Sequence, residues 1–242
     1  MTVHAVVLAA GRGKRMRSDI AKVLHELEGR PLVSWALDAI EGLATPTVVV
    51  GHQAAAVERV LDAGIRTVLQ EPQHGTGHAV EVALAEIRPS NDDVVLVVPG
   101  DMPLLRRRTI ETMLDSHAQR RNSLTVLTAT VENPAGYGRI VRGPRGLLAI
   151  VEHADASAEQ LAIREINTSV YAFDAAVLAE ALPKLGRSNA QNEKYLTDTI
   201  GLVVETGASV GTVTVDPREA AGVNSQAELA DASRRLGDLG DG

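Results

Sequence analysis

The 242-residue sequence contains no cysteine, which excludes disulfides and thiolate metal sites. Aromatic residues make up only 2% of it, so platforms for stacking single-stranded bases are nearly missing. Positive charge is in short supply. Asp and Glu number 31 against 24 Lys and Arg, a net charge of −7 that gives no general attraction for nucleic acid. No apolar run approaches the roughly 18 residues of a membrane span, and the short run 5–10 follows no basic leader. The cytoplasm is therefore the default compartment, and neither nucleic acid nor membrane is expected as a partner. No internal repeat is visible, in particular no hexapeptide periodicity of the β-helix type. A strongly anionic substrate would need local cations and a metal.

What is present is a 45% apolar composition, ample for a core, and a regular alternation of patterns. Residues 3–9, 46–51, 66–70, 93–98 and 123–130 read as strands, and the unbroken apolar stretch 94–98 suits a strand covered on both faces. Between them, residues 31–43, 53–63, 75–87 and 106–120 have helical spacing, with Pro31 suited to a first turn and Gly64 to a stop. This predicts an α/β fold with a doubly wound, mainly parallel sheet, whose ligands sit beyond the carboxyl ends of the strands. After residue 131 the rhythm changes. Strands are predicted at 137–141, 147–152, 165–173 and 210–215, and helices at 175–185, 193–205 and near 226–236. Residues 1–236 read as one domain, with a core over 1–130 and a smaller substrate-binding extension over 131–236 that covers the sheet's active edge. Residues 237–242 read as a disordered tail.

Directly after the first strand, residues 8–16 (LAAGRGKRM) combine Gly11 and Gly13 with Arg12, Lys14 and Arg15. Such a turn lets the backbone approach an anion and surrounds it with N–H groups and positive charge. It is neither a Walker loop nor a dinucleotide fingerprint, and a Gly-rich turn with solvated basic residues is the plain alternative. Lys22, six residues on, can fold back over the same anion, or can be a solvated lysine. After the third strand, Gln70 precedes Gly75-Thr-Gly77, which opens a helix expected to present free N–H groups. A glutamine amide suits the edge of a nucleobase. The ordinary reading is a loop with Thr76 as helix cap. His74 and His78 stand four apart but lack a third ligand nearby. Asp101, just past the most apolar strand, is placed to ligate Mg²⁺ facing a triphosphate, as an exposed strand-end carboxylate that contributes little to the core; the plain alternative is a turn aspartate beside Gly100. Gly138, Glu152, Asn167 and Asn224 lie beside strand-like runs, where each is individually ordinary.

Taken together and in order, these segments resemble the uridylyltransferase domain of the bifunctional bacterial enzyme of UDP-N-acetylglucosamine synthesis. The resemblance rests on LAAGRGKRM, KVLH from Lys22, GTGHA from Gly75, GDMPLL from Gly100 and GYGRI from Gly136. It extends through IVEHADA from Ile150, EINT from Glu165, NAQNEKYLTD from Asn189 and AGVN ending at Asn224. The glycine loop alone marks only the wider sugar-nucleotidyltransferase superfamily; the later motifs are more specific. The resemblance implies a Rossmann-like nucleotidyltransferase fold, with 1–130 as nucleotide-binding core and 131–236 as sugar-phosphate-binding extension. It implies that Leu8, Ala9, Ala10, Gly11, Gly13 and Lys22 hold the nucleotide, with Arg15, Lys22 and Asp101 as the catalytic set. Gln70, Gly75 and Thr76 would recognise the uracil and ribose side. Asp101 and Asn224 would ligate Mg²⁺, and Gly138, Glu152, Asn167, Tyr195 and Thr197 would line the sugar-phosphate pocket. The sequence departs from the family at Lys14, Ala21, Pro99 and Ser225, where threonine, proline, another residue and a second asparagine are usual; none removes an implied ligand. The family's left-handed β-helical acetyltransferase domain would begin where this sequence ends, so its trimer is not expected.

The implied reaction is Mg²⁺-dependent transfer of UMP from UTP to N-acetylglucosamine 1-phosphate, releasing pyrophosphate. The sugar phosphate, whose second pKa is about 6, needs no catalytic base. Two other readings stay open: a nucleotidyltransferase using another sugar 1-phosphate or nucleotide, and a non-catalytic nucleotide-binding regulator.

Overall fold

The computed structural model describes residues 1–144 and 146–240. The chain runs through β1 (Val3–Leu8), a short antiparallel ribbon of β2 (Glu26–Leu27) and β3 (Arg30–Pro31), α1 (Leu32–Asp38), β4 (Thr45–Val50), α2 (Ala54–Glu58) and β5 (Arg66–Leu69). Then come α3 (Thr76–Ile87), β6 (Val94–Pro99), α4 (Arg107–Arg120), β7 (Leu124–Thr130) and the hairpin β8 (Arg139–Gly143) and β9 (Gly146–Val151). It finishes with α5 (Ala158–Leu161), β10 (Glu165–Asp174), α6 (Ala175–Ala181), α7 (Asp198–Glu205), β11 (Val210–Thr214) and α8 (Gln226–Gly240).

The main sheet has the order β11-β7-β10-β6-β1-β4-β5. Strands β6, β1, β4 and β5 are parallel, as are β7 and β11, whereas β10 is antiparallel to both of its neighbours. Alternation along the strands divides the core into two layers. Ala5, Val7, Val48, Val50, Leu96 and Val98 pack on one face with Val33, Ile40, Ile110 and Met113 from the α1 and α4 side. Val6, Val49, Val95 and Val97 pack on the other face with Val80 and Ala83 of α3, Leu178 of α6 and Val203 of α7. Strands whose two faces are both covered must be apolar at every position, which accounts for the unbroken run 94–98.

Three expectations change. The region after residue 131 is not solely an extension, since β10 lies inside the main sheet and β11 forms its edge. The helix predicted from 193 begins only at Asp198, because the Lys194 backbone is taken up by the segment that opens α3: the Lys194 N–H donates to the His74 carbonyl at 2.7 Å and its carbonyl accepts from Gly77 N–H at 2.9 Å. The predicted tail is helical as far as Gly240, and residues 241–242 lie outside the described residues. A third apolar cluster, containing Met16, Leu27, Leu32, Leu104, Val223 and Ala232, seats α8 on the turn that follows the glycine loop.

Candidate active site

Strand β1 lies between β4 and β6, and chain order reverses there: β4 and β5 follow on one side, β6 on the other. Such a switch point leaves a crevice at the carboxyl ends of the strands. The pairing of Leu8 with Pro99 sets the glycine loop beside the β6 turn, and Gly100 N–H donates to the Leu8 carbonyl at 2.9 Å. Gly13 has φ +64°, and a Cβ there would lie 2.6 Å from the Lys22 Cβ. Glycine is thus required both for the left-handed backbone and for the close approach of the Lys22 segment.

That approach places three expected residues together. The Lys22 ammonium is hydrogen-bonded to Asp101 Oδ2 and donates to Asn224 Oδ1 at 3.0 Å. Asp101 is 7% exposed, not the open strand-end carboxylate expected from sequence, because the 220–224 segment closes over it. Val223 N–H donates to the Asp101 carbonyl at 2.9 Å. A carboxylate and an amide oxygen converging on one cation form a hard oxygen donor pair of the kind that divalent cations accept. The lysine ammonium already shows that these two oxygens can share a positive charge.

A cleft of about 1220 Å³ opens from this point. Its walls include Leu8, Ala10, Gly11, Gly13, Arg15, Lys22, Gln70, Gly75, Thr76, Asp101, Gly138, Glu152, Asn167 and Asn224. Among the described residues its cations are Arg12, Arg15 and Lys22, against carboxylates at positions 71, 101, 152, 193 and 228. A strongly anionic ligand in so acidic a cleft requires added positive charge. Arg15 extends across the cleft, its guanidinium 3.3 Å from where a Cβ on Gly136 would be.

On the far wall, β10 carries a bulge between Asn167 and Tyr171, with Ser169 left-handed at φ +63°. Bulges re-aim side chains beside sites. Here Ser169 N–H donates to Asn167 Oδ1 at 3.0 Å, and Asn167 Nδ2 donates to the Tyr171 hydroxyl at 2.6 Å. Burial raises the Glu152 carboxyl above its ordinary range, reinforced by Asp198, Asp155 and Glu193 and opposed by a hydrogen bond from Thr197. Gln70 Nε2 donates to the Gly75 carbonyl at 2.9 Å. That carbonyl can only accept, which fixes the amide orientation and leaves Gln70 Oε1 as the group for a ligand.

A family profile described as MobA-like NTP transferase domain matches residues 5–170. The chain belongs to that family. Nucleotidyl transfer is accordingly its reaction class. Proteins named "Bifunctional protein GlmU" are similar over 96% of this chain, at 49% identity in Streptomyces coelicolor and 46% in Corynebacterium aurimucosum. The chain spans about half the length of these curated relatives, 50% in each. A crystal structure described as a putative glucose-1-phosphate thymidylyltransferase from Bacillus anthracis superposes with TM-score 0.74 over 96% of this chain and 94% of that one. At 19% identity, that likeness shows the fold.

Three expected site residues of this NTP transferase domain do not line the cleft. Ala9 is fully buried, and its N–H donates to the Val49 carbonyl at 2.9 Å. The Tyr195 hydroxyl is turned to Asp155 Oδ2 at 3.2 Å. Thr197 stands behind the wall and donates to Glu152 Oε1 at 3.0 Å, so it touches the pocket through Glu152. The N-terminus of α3 is also less open than expected, since Gly77 N–H is taken by Lys194 and the Thr76 hydroxyl accepts from Leu196 N–H at 3.0 Å. Conversely, Gln73, Tyr137, Ser169 and Glu228 line the cleft without having been expected. Gln73 Nε2 donates to the Ala10 carbonyl at 2.6 Å, tying the Gln70–Thr76 loop to the glycine loop. Tyr137 stands in the GYGRI motif and Gln73 beside Gln70, so both were adjacent to recognised segments. Glu228 had no such marker.

Proposed function

We propose that the chain is a cytoplasmic, Mg²⁺-dependent uridylyltransferase that transfers UMP from UTP to N-acetylglucosamine 1-phosphate, giving UDP-N-acetylglucosamine and pyrophosphate. The observation that carries this reading is the meeting of Lys22, Asp101 and Asn224 beside the glycine loop, with Glu152 and Asn167 across the same cleft. One end has the groups for a triphosphate; the other has carboxylate and amide groups suited to sugar hydroxyls and an amide substituent. Membership of the NTP transferase family supports the nucleotidyl-transfer part of this reading.

Asp101 and Asn224 would hold Mg²⁺, which would neutralise phosphate charge. The glycine loop, with Arg15 and Lys22, would position the triphosphate and stabilise charge as it shifts toward pyrophosphate. A sugar-phosphate oxygen forms a bond to the α-phosphorus as the bond from that phosphorus to the β-phosphate oxygen breaks. The nucleophile is already an anion and no proton is moved. Base choice follows from Gln70. With its Nε2 held by Gly75, it offers an acceptor, which suits the N3–H of uracil and opposes the N3 lone pair of cytosine.

The test is pyrophosphate release from four nucleoside triphosphates against a panel of sugar 1-phosphates. UTP should exceed CTP by more than about tenfold, which corresponds to about 1.4 kcal/mol. N-acetylglucosamine 1-phosphate should be the preferred acceptor. Equal turnover of UTP and CTP would sink the uridylyl assignment.

A further inference from the structure

We propose that Glu228 is a positioning residue for the metal site, acting through the backbone of Asn224. The inference rests on the reading of Asp101 and Asn224 as the Mg²⁺ ligands. Ser225 and Glu228 have the spacing of a capping box, in which the carboxylate would reach back to the N–H of the serine. The serine half forms: Ser225 Oγ accepts from Glu228 N–H at 3.3 Å. The carboxylate half is displaced by one residue, and Glu228 Oε2 accepts from Asn224 N–H at 2.7 Å. A helix cap is thereby redirected onto a proposed ligand.

Beside the hydrogen bond from Lys22, three further restraints place Asn224 among the described residues, and of these three one comes from another side chain. Val223 N–H donates to the Asp101 carbonyl at 2.9 Å and fixes the separation of the two segments. Asn224 Nδ2 donates to the Gly222 carbonyl at 3.2 Å, so the amide oxygen faces the Lys22 ammonium and Asp101. Glu228 supplies the third, a charge-assisted hydrogen bond at the point where the chain leaves the loop and enters α8. Glu228 also lines the cleft. A capping role alone does not call for a carboxylate directed at that amide, whereas residues that orient metal ligands commonly bond to them in this way.

Removal of such an orienting group weakens metal affinity by about 10–100-fold. The test uses Mn²⁺ as a paramagnetic substitute for Mg²⁺, titrated into the 242-residue protein without nucleotide and followed by the electron paramagnetic resonance signal of free Mn²⁺. Glu228→Ala should weaken Mn²⁺ binding by at least about tenfold. Glu228→Gln, whose amide oxygen can still accept from Asn224 N–H, should restore binding to near the wild-type value. Thermal unfolding of both variants identifies any loss of fold, and the Gln variant keeps the comparison decisive if the Ala variant is unstable. Asn224→Ala and Asp101→Asn serve as references. If both references lose Mn²⁺ affinity while Glu228→Ala binds like wild type, the positioning role is wrong and the metal site stands. The role is also overturned if Glu228→Gln binds as weakly as Glu228→Ala, since the hydrogen bond would then not be the operative feature. If neither reference loses affinity, the metal reading itself falls and the proposal with it.

Discussion

Asp101→Asn tests the proposed site with the smallest change in shape. The substitution keeps the side-chain volume and replaces a carboxylate with a neutral amide. Backbone contacts, including Val223 N–H to the Asp101 carbonyl, are untouched. Its cost to stability follows from the Lys22 pair, whose side chains are 20% and 11% exposed for Lys22 and Asp101 respectively. Fully exposed pairs contribute about 0–1 kcal/mol, and breaking a fully buried one costs about 3–5 kcal/mol. This pair lies between, and Lys22 keeps its bond to Asn224 and some access to water, so a loss of about 1–2 kcal/mol is expected. For a domain of this size that lowers Tm by about 2–8 °C. Lys22→Met in the same background removes the orphaned cation and should recover part of the loss.

The effect on chemistry should be much larger than the effect on folding. Loss of one group that stabilises developing charge typically costs about 10²–10³ in kcat, and loss of a metal ligand also raises the Mg²⁺ needed for half-maximal rate. Pyrophosphate release measured over a Mg²⁺ titration, at a temperature well below the variant's Tm, reads both quantities. Wild-type turnover with an unchanged Mg²⁺ midpoint would refute the assignment. Asn224→Ala should shift the midpoint in the same direction with a smaller fall in rate, because it removes a neutral ligand.

Glu152→Gln should alter the pH dependence of stability. Burial raises the folded-state value above that of the unfolded chain, so the folded protein binds more protons and stability falls as pH rises above about 4.5 into the range of the raised value. The Gln variant should lack that decline, and its Tm should gain on wild type between acidic and neutral pH; parallel curves would contradict the assignment. Gly13→Ala adds a left-handed penalty of about 1–2 kcal/mol and forces the Lys22 segment away from a Cβ otherwise 2.6 Å distant. Calorimetry should find UTP binding at least tenfold weaker and Tm lowered, and an unaltered UTP affinity would show that the close approach is dispensable.

Elements made of local pattern were legible in the sequence. Strand β6 was visible because both faces are covered, and α3 and α4 because their helical periodicity runs unbroken for 12 and 14 residues. Elements decided by distant partners were not. The 193–196 segment has helical composition, yet its backbone groups bond to His74 and Gly77, which no local pattern could signal. The same limit applies to Asp101. Its place after a strand was clear, but its burial depends on a segment more than a hundred residues away. Tyr195 and Thr197 were recognised from a motif near the sugar side, and the structure places both behind the wall they were expected to form. Motifs mark the neighbourhood of a site, and the hydrogen bonds decide which side chains face into it.

The antiparallel insertion of β10 explains how distant segments come to share one cleft. A parallel strand beside β6 would bring its carboxyl end to the glycine loop and send its amino end to the far edge of the sheet. Because β10 runs the other way, pairing Tyr171 with Val97 and Asp174 with Val94, its amino-terminal residues reach the edge where β1 and β6 end. The bulge after Asn167 then turns that stretch toward the cleft, and Asn167 N–H donates to the Gly138 carbonyl at 2.9 Å. The loop before β8 is held in place by that bond, which brings Gly138 and Tyr137 to the same edge. Reversal of a single strand therefore sets the Asn167 wall opposite the Lys22–Asp101–Asn224 group, and both walls are anchored to adjacent strands of one rigid sheet. Substituting residues within the β10 bulge should accordingly disturb acceptor binding more than nucleotide binding, seen as a rise in KM for the sugar phosphate with KM for UTP nearly unchanged. Equal rises in both would mean that the two walls are not independently anchored.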